Sequence, residues 1–316
     1  MTRDLILTFN TGSSTIKLGF YALEAAAPRP LASGVIDFRD EPFEVRLTRE
    51  GKTFSGPITA DPGDLTAVLN QAFAWLAGHF NLSRLAVIGH RVVHGGDVFT
   101  GPARITDQVI AQIDALARLA PLHQPQSLAL IRAMRGLYPD VPQTASFDTA
   151  FHATNPPLIR RFALPRALYD QGIKRYGFHG LSYRYIAGQL GDLATDAKVV
   201  AAHLGSGASL CAIRGGKSID SSMAEGAASV VTSGTVLPRR PDFSNSDFAR
   251  SGSNSRGFRS ALWKGLAGET GWSLAMVAMP RSADFAIRSR FIRYLTPSMK
   301  PALSPGSMSR RMLRSV

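Results

Sequence analysis

The sequence predicts a duplicated α/β fold, and three observations carry that prediction. An apolar strand, a small-residue turn and a second apolar strand open the chain between Leu5 and Phe20. The same order returns between Val199 and Ile213, where the turn is again rich in Gly and Ser. Between them lie helical patterns with a 3.6-residue period, so strands and helices alternate. A recurrence after about 190 residues is too long for a solenoid and fits two related domains, each presenting a turn to a shared cleft.

Each element follows from its residues. Leu5-Ile6-Leu7-Thr8-Phe9 is a buried strand, Asn10-Thr11-Gly12-Ser13-Ser14 a turn, and Thr15 to Phe20 the returning strand. Asp64 is placed to cap a helix whose apolar positions are Leu65, Val68, Leu69, Ala72, Phe73, Leu76 and Phe80. Leu85 to Ile88 predicts another buried strand, which runs into Gly89-His90-Arg91-Val92-Val93-His94-Gly95-Gly96. Helical patterns follow around Val109–Leu119 and Leu128–Leu137. Short turn-bounded segments carry Ser146-Phe147-Asp148-Thr149 and Arg175-Tyr176-Gly177-Phe178-His179-Gly180. In the second unit Val199 to His203 leads into Leu204-Gly205-Ser206-Gly207-Ala208, and Ser209 to Ile213 leads out. Gly215-Gly216 then turns the chain towards Ser218-Ile219-Asp220. Beyond Glu225, Trp272–Met279 and Phe285–Leu295 are apolar but lack the caps and clean period of a helix.

Composition bounds the classes. The chain has 316 residues, with 45% hydrophobic and 19% charged, which excludes wholesale disorder and suggests about two domains. Its net charge of +13 is uneven. Residues 1–225 hold 22 Lys+Arg against 19 Asp+Glu, whereas residues 226–316 hold 14 against 4. Serine rises from 13 in the first stretch to 16 in the second. The expected organisation is an α/β domain over 1–150, the start of a second over 151–225, and a basic Ser/Arg-rich tail over 226–316. A lone cysteine, Cys211, allows no internal disulfide and fits a reducing compartment. The N-terminal segment lacks the apolar run of a signal peptide, and no stretch reaches about 18 apolar residues. The expectation is a soluble, cytoplasmic protein.

Several residues stand where chemistry is done. Backbone N–H groups and hydroxyls in the two Gly/Ser turns form anion-binding concavities, or else ordinary hairpins. Lys17 adds a point charge beside the first turn. The segment is not a Walker A loop, because no glycine precedes Lys17 and Leu18 follows it. His90 and His94 have the spacing of a zinc hydrolase helix but lack its glutamate, so buried structural histidines are the plainer reading. Arg91, at a strand end beside two glycines, is suited to gripping a carboxylate or phosphate, or to an ion pair. Asp148 is a candidate acid, or a turn cap.

Taken together these segments resemble the acetate kinase family. The resemblance rests on Asn10 to Lys17, Gly89 to Gly96, Leu119-Ala120-Pro121-Leu122-His123, Phe147-Asp148-Thr149-Ala150-Phe151-His152, Arg175 to Gly180, and His203 to Gly207, in family order across residues 5–223. It implies duplicated RNase H-like domains, as in actin and sugar kinases. It also implies reversible phosphoryl transfer from ATP to acetate with Mg2+, giving acetyl phosphate and ADP, in a homodimer. Carried over by position, Asn10 lies near Mg2+ and Lys17 near the nucleotide phosphates. Arg91 holds the acid or the phosphoryl group, Asp148 is the essential acidic residue, and His179 stabilises the transition state. His203, Leu204, Gly205, Ser206 and Gly207 form the nucleotide-binding turn. Acetate is already ionised, so Asp148 is expected to orient substrate or metal-bound water rather than to act as a base.

The chain also departs from the pattern. Ser206 replaces an Asn, Thr15 a Ser, and Leu181 and Tyr183 alter the end of the His179 motif. After Met223 the family's Gly-Thr-Arg arginine, adenine-site segments and C-terminal glutamate are not legible, where charge and serine content change. A shifted reading frame or a divergent tail would account for this. The expected consequence is impaired activity. Alternatives are a nucleotide-binding remnant without turnover, or polyanion binding through the tail, without a motif for specific nucleic-acid recognition. Whether acetate or propionate is preferred is left open.

Overall fold

A computed structural model describes residues 3–12, 14–39, 43–191, 197–204 and 207–222, and the backbone of 272–278 and 293–295. Strands β1 (Leu5–Thr11) and β2 (Thr15–Ala22) bury alternate residues, Leu5, Leu7 and Phe9 on one and Ile16, Leu18 and Phe20 on the other. That period of two is the pattern of a half-buried strand. The Gly12 N–H donates to the Thr15 carbonyl, and the hairpin it closes sets Asn10 opposite Lys17. Three strands then extend the sheet: β3 (Arg29–Asp37), β4 (Glu44–Arg49) and β5 (Lys52–Pro57), each antiparallel to its neighbour.

Helix α1 (Leu65–Leu76) starts where expected, the Asp64 carboxylate accepting from the Ala67 N–H. A cap of this kind stabilises by about 1 kcal/mol. Its buried stripe, Val68, Leu69, Ala72, Phe73 and Leu76, packs on the sheet. Strand β6 (Leu85–Val92) lies parallel to β1 and runs four residues beyond the predicted strand, carrying His90 and Arg91 on it. After the short edge strand β7 (Ala103–Arg104) comes α2 (Asp107–Ala115), capped by Thr106. It is shorter than the 109–119 predicted, because the chain tightens into a 3-10 turn at Ala117–Leu119. Helix α3 (Gln124–Leu137) leads to β8 (Gln143–Phe147), parallel to β6. The first sheet thus runs β5-β4-β3-β2-β1-β6-β8-β7.

A 3-10 turn at Ala150–Thr154 and helices α4 (Arg166–Asp170) and α5 (Gly180–Gln189) lead to the second sheet. There β9 (Lys198–Leu204), β10 (Ala208–Arg214) and β11 (Lys217–Ser221) form an antiparallel meander. Two tail segments join it: β12 (Trp272–Ala278), parallel to β9, and β13 (Arg293–Leu295), antiparallel to β12. The order is β11-β10-β9-β12-β13.

The two sheets repeat one topology. In each, a meander of three antiparallel strands is followed by a strand parallel to the first: β3-β2-β1-β6 and β11-β10-β9-β12. This is the duplicated α/β arrangement expected from the two hairpins. The fifth strands differ, β8 running parallel to its neighbour and β13 antiparallel. Of the two apolar tail segments, 272–278 and 293–295 are strand. The rest of the tail, and the expected incompleteness of the second domain, lie outside the described residues.

The halves meet through polar contacts at the 3-10 turn. His152 Nδ1 lies 2.8 Å from Ser218 Oγ, and Thr154 Oγ1 donates to the Ser218 carbonyl at 2.7 Å. Among the described residues no helix is long and apolar enough to cross a membrane.

Candidate active site

The parallel strands β1 and β6 end at the same level, and β8 ends beside β6. Asn10, Arg91 and Asp148 are thereby brought together from three separate motifs. Asp148 is 1% exposed, and its carboxylate faces Arg91. Arg91 Nη2 donates to Asp148 Oδ2 at 2.6 Å, and Nε lies 3.2 Å from Oδ1 and 3.1 Å from Oδ2. Arg91 Nη1 donates to Asn10 Oδ1 at 2.7 Å. A planar guanidinium held on two sides in this way cannot swing, so its remaining donors are aimed. It has five N–H groups. Among the described residues these bonds leave one N–H on each terminal nitrogen without a partner, on a side chain 26% exposed. Burial opposes the charge on Arg91, but Asp148's charge and hydrogen bonds outweigh it and keep its pKa above the ordinary value.

Lys17 stands across the hairpin from Asn10. Its ammonium has no hydrogen bond or ion pair among the described residues. Its proton affinity is lowered by burial first, then by the positive charges of Arg91 and Arg39. Crowded, half-buried cations of this kind are relieved when an anion enters.

The second half contributes uncharged donors and acceptors. His179 follows Phe178 in the left-handed region, at φ 58°, and precedes α5. The reason for Gly180 is close approach: its N–H donates to the Asp148 carbonyl at 3.0 Å, and a Cβ there would lie 2.0 Å from that oxygen. His179 is thus tied to Asp148 by the backbone. Its ring stacks on His203 with centroids 4.0 Å apart, and its Nδ1 lies 2.8 Å from Ser209 Oγ. His203 Nδ1 lies 3.0 Å from Ser182 Oγ. Burial lowers the pKa of His179, with Asp148 opposing and Arg91 adding. Burial, with His179 and Arg91 adding, pushes that of His203 down to about 4. Both shifts favour the uncharged ring.

His203, Leu204 and Gly207 flank the second turn as expected, His203 and Leu204 at the end of β9 and Gly207 just before β10. Gly205 and Ser206 lie outside the described residues. His90 and His94 do not sit on a helix. His90 is on β6, bonded through Nε2 to Gln143 and stacked on Phe9, and the Gly96 N–H donates to His94 Nδ1. They are structural histidines, each pushed down to about 4 by burial. Sequence reasoning missed Ser209, Ser182 and Tyr183 as part of the site. A serine in an apolar strand gave no signal beyond its polarity.

The description "Acetokinase family" covers the family model that matches residues 5–236, past Met223. The chain belongs to that family. An acetate kinase of Rhodopseudomonas palustris is 45% identical over 230 residues, 70% of this chain and 57% of its own. A propionate kinase of Citrobacter rodentium is 41% identical over 226 residues, 69% of this chain and 55% of its own. A solved propionate kinase from Francisella tularensis superposes with a TM-score of 0.65 at 32% identity, covering 83% of this chain and 67% of that one. The fold is accordingly the actin and sugar-kinase-like one of acetate kinases. The chain spans a little over half the length of the curated acetate and propionate kinases it matches.

Proposed function

We propose that the chain carries the carboxylate and phosphoryl half of an acetate or propionate kinase site, transferring phosphate reversibly between ATP and a short-chain carboxylate. One observation carries this reading: among the described residues Arg91, fixed by Asp148 and Asn10, keeps a donor on each terminal nitrogen beside a Lys17 ammonium without a partner. That geometry receives planar carboxylates and phosphoryl oxygens. Phosphoryl transfer needs positioning and charge neutralisation more than covalent help. Arg91 grips the anion, Lys17 adds charge, and His179 offers a hydrogen bond without a charge. Asp148 holds Arg91, in keeping with an orienting role.

Mg2+ fits as an ion carried by the nucleotide. Among the described residues no three His, Cys, Asp or Glu side chains form a cage. The Asp148 carboxylate and Asn10 carbonyl are hard oxygen donors of the kind that, with phosphates and water, suits Mg2+. When bound, it would neutralise charge on the phosphoryl oxygens. The family segments expected after Met223 are not legible in the tail, so turnover is expected to be slower than in relatives that carry them.

The test is acyl phosphate formation from acetate and propionate with ATP and Mg2+, trapped as the hydroxamate. Arg91→Ala should lower the rate by about 10²–10³-fold. Product formed at the same rate by Arg91→Ala, or none with either acid, would refute the reading.

A further inference from the structure

His179 is useful to a transferring phosphoryl group only if the nitrogen facing the cleft carries the proton. A neutral imidazole has one N–H, and the partner of the other nitrogen decides which. In this chain that partner is Ser209 Oγ, 2.8 Å from His179 Nδ1. Ser209 is 4% exposed and has a second partner, the Tyr183 hydroxyl, at 2.5 Å. Tyr183 is 1% exposed and wedged between ring contacts with Phe151 and His152.

The direction of the protons follows from acidity and supply. A phenol is far more acidic than an alkyl hydroxyl and is the better donor of the two. The Tyr183 proton therefore goes to Ser209 Oγ, 2.5 Å away. Ser209 then has one proton left to give, and the acceptor within reach is His179 Nδ1. An unprotonated Nδ1 on a neutral ring places the proton on Nε2. Stacking on His203, itself bonded to Ser182, holds the ring plane.

We propose that Tyr183 and Ser209 are positioning residues that lock His179 in its Nε2–H tautomer, so that it meets the substrate as a fixed hydrogen-bond donor. The inference rests on the phosphoryl-transfer reading for its purpose, but not for its observable. Tyr183 is one of the positions at which this chain departs from the family pattern, so the relay is drawn from this chain's own residues.

The test is nitrogen NMR of the full chain with 15N-labelled histidine, the His179 signals being assigned by their loss in His179→Gln. The expected result is a bare Nδ1 and a protonated Nε2. In Ser209→Ala the preference should relax towards a mixture, Ser209→Thr should restore it, and Tyr183→Phe should fall between. The kcat of Ser209→Ala should drop on the order of tenfold, the worth of one hydrogen bond, with KM for the carboxylate within about twofold. A protonated Nδ1 in the unaltered chain overturns the proposal, whether or not the variants fold. So does a tautomer untouched by Ser209→Ala. The expected tautomer in a chain that makes no acyl phosphate would leave the assignment standing and defeat the kinase reading instead.

Discussion

The two hairpins carry opposite chemistry at the same place in the same frame. One residue pair in from the last pair of each hairpin, β1–β2 sets Asn10 opposite Lys17, and β9–β10 sets His203 opposite Ser209. Residues directly opposite in an antiparallel pair share a face. The first hairpin therefore feeds a charged cluster with Arg91 and Asp148. The second feeds an uncharged one with His179, Tyr183 and Ser182. Duplication supplied the positions, and the residue types then divided the labour. One side grips anions, and the other donates hydrogen bonds without adding charge. The packing is unequal as well. The sheet of β1 rests on a core that includes Leu7, Phe20, Ile36, Leu47, Leu69 and Leu85, whereas the described core behind β9 is smaller.

Acid is the strongest way to break this division. His90, His94, His152 and His203 are each pushed down to about 4, with burial the leading cause. Below about pH 6.5 the unfolded chain takes up protons that the native imidazoles refuse until pH 4, so stability is complete above 6.5 and falls with pH. At pH 5 each histidine costs roughly 1–2 kcal/mol, and together they rival the stability of a domain, about 5–15 kcal/mol. The urea midpoint should fall steeply between pH 7 and pH 5, and less steeply in His203→Gln. A midpoint flat across that range would show that these rings are not held neutral.

The seam between the halves gives a second, smaller test. At Gly180 a Cβ would meet the Asp148 carbonyl oxygen at 2.0 Å, and backbone cannot yield as a side-chain tip does. Gly180→Ala should cost about 2–4 kcal/mol, read as a lower melting temperature, and should displace His179 from Asp148. Gly188 on the same helix has nothing within 4 Å of its Cβ position, so Gly188→Ala should stabilise by up to about 1 kcal/mol. Equal effects from the two would mean that the close approach does not hold the halves together.

What was legible from sequence depended on how the signal is carried. The capped helix α1 and the strands β1, β2, β6, β9 and β10 announce themselves through apolar period and turn residues. Strands β3 to β5 passed unread. The Lys52–Pro57 strand is an exposed edge with little to bury, and Arg29–Asp37 is buried on successive residues at one end, which blurs the alternation. Helix α5 opens on Gly180 and mixes Tyr and Arg without a clean stripe, so it too gave no helical signal. In the site, Arg91 was visible as a charge at a strand end among glycines, and Asp148 as an acid in a short turn-bounded segment. Their mutual bond was not, because it joins a residue of β6 to one just past the end of β8, strands brought side by side only in the sheet. Ser209 and Tyr183 were invisible as site residues because their meaning lies wholly in what they touch.

The last test asks whether Lys17 serves the fold or the ligand. A lysine that stabilises its own protein normally has a carboxylate partner; Lys17 has none among the described residues, and the charges that act on it, Arg91 and Arg39, are of its own sign. Removing it should therefore relieve repulsion in the empty site and leave the melting temperature unchanged or slightly higher. The same change should weaken nucleotide or acetyl phosphate binding about tenfold, since a partly desolvated charge–phosphate contact is worth about 1.4 kcal/mol or more. Lys17→Ala would then trade affinity for stability, which no residue of the uncharged cluster should do. Ser209→Ala, by contrast, should leave affinity nearly intact while turnover falls. If Lys17→Ala instead melts lower and binds as before, the first hairpin is held together by its charge, and the division between gripping and donating halves fails at its first residue.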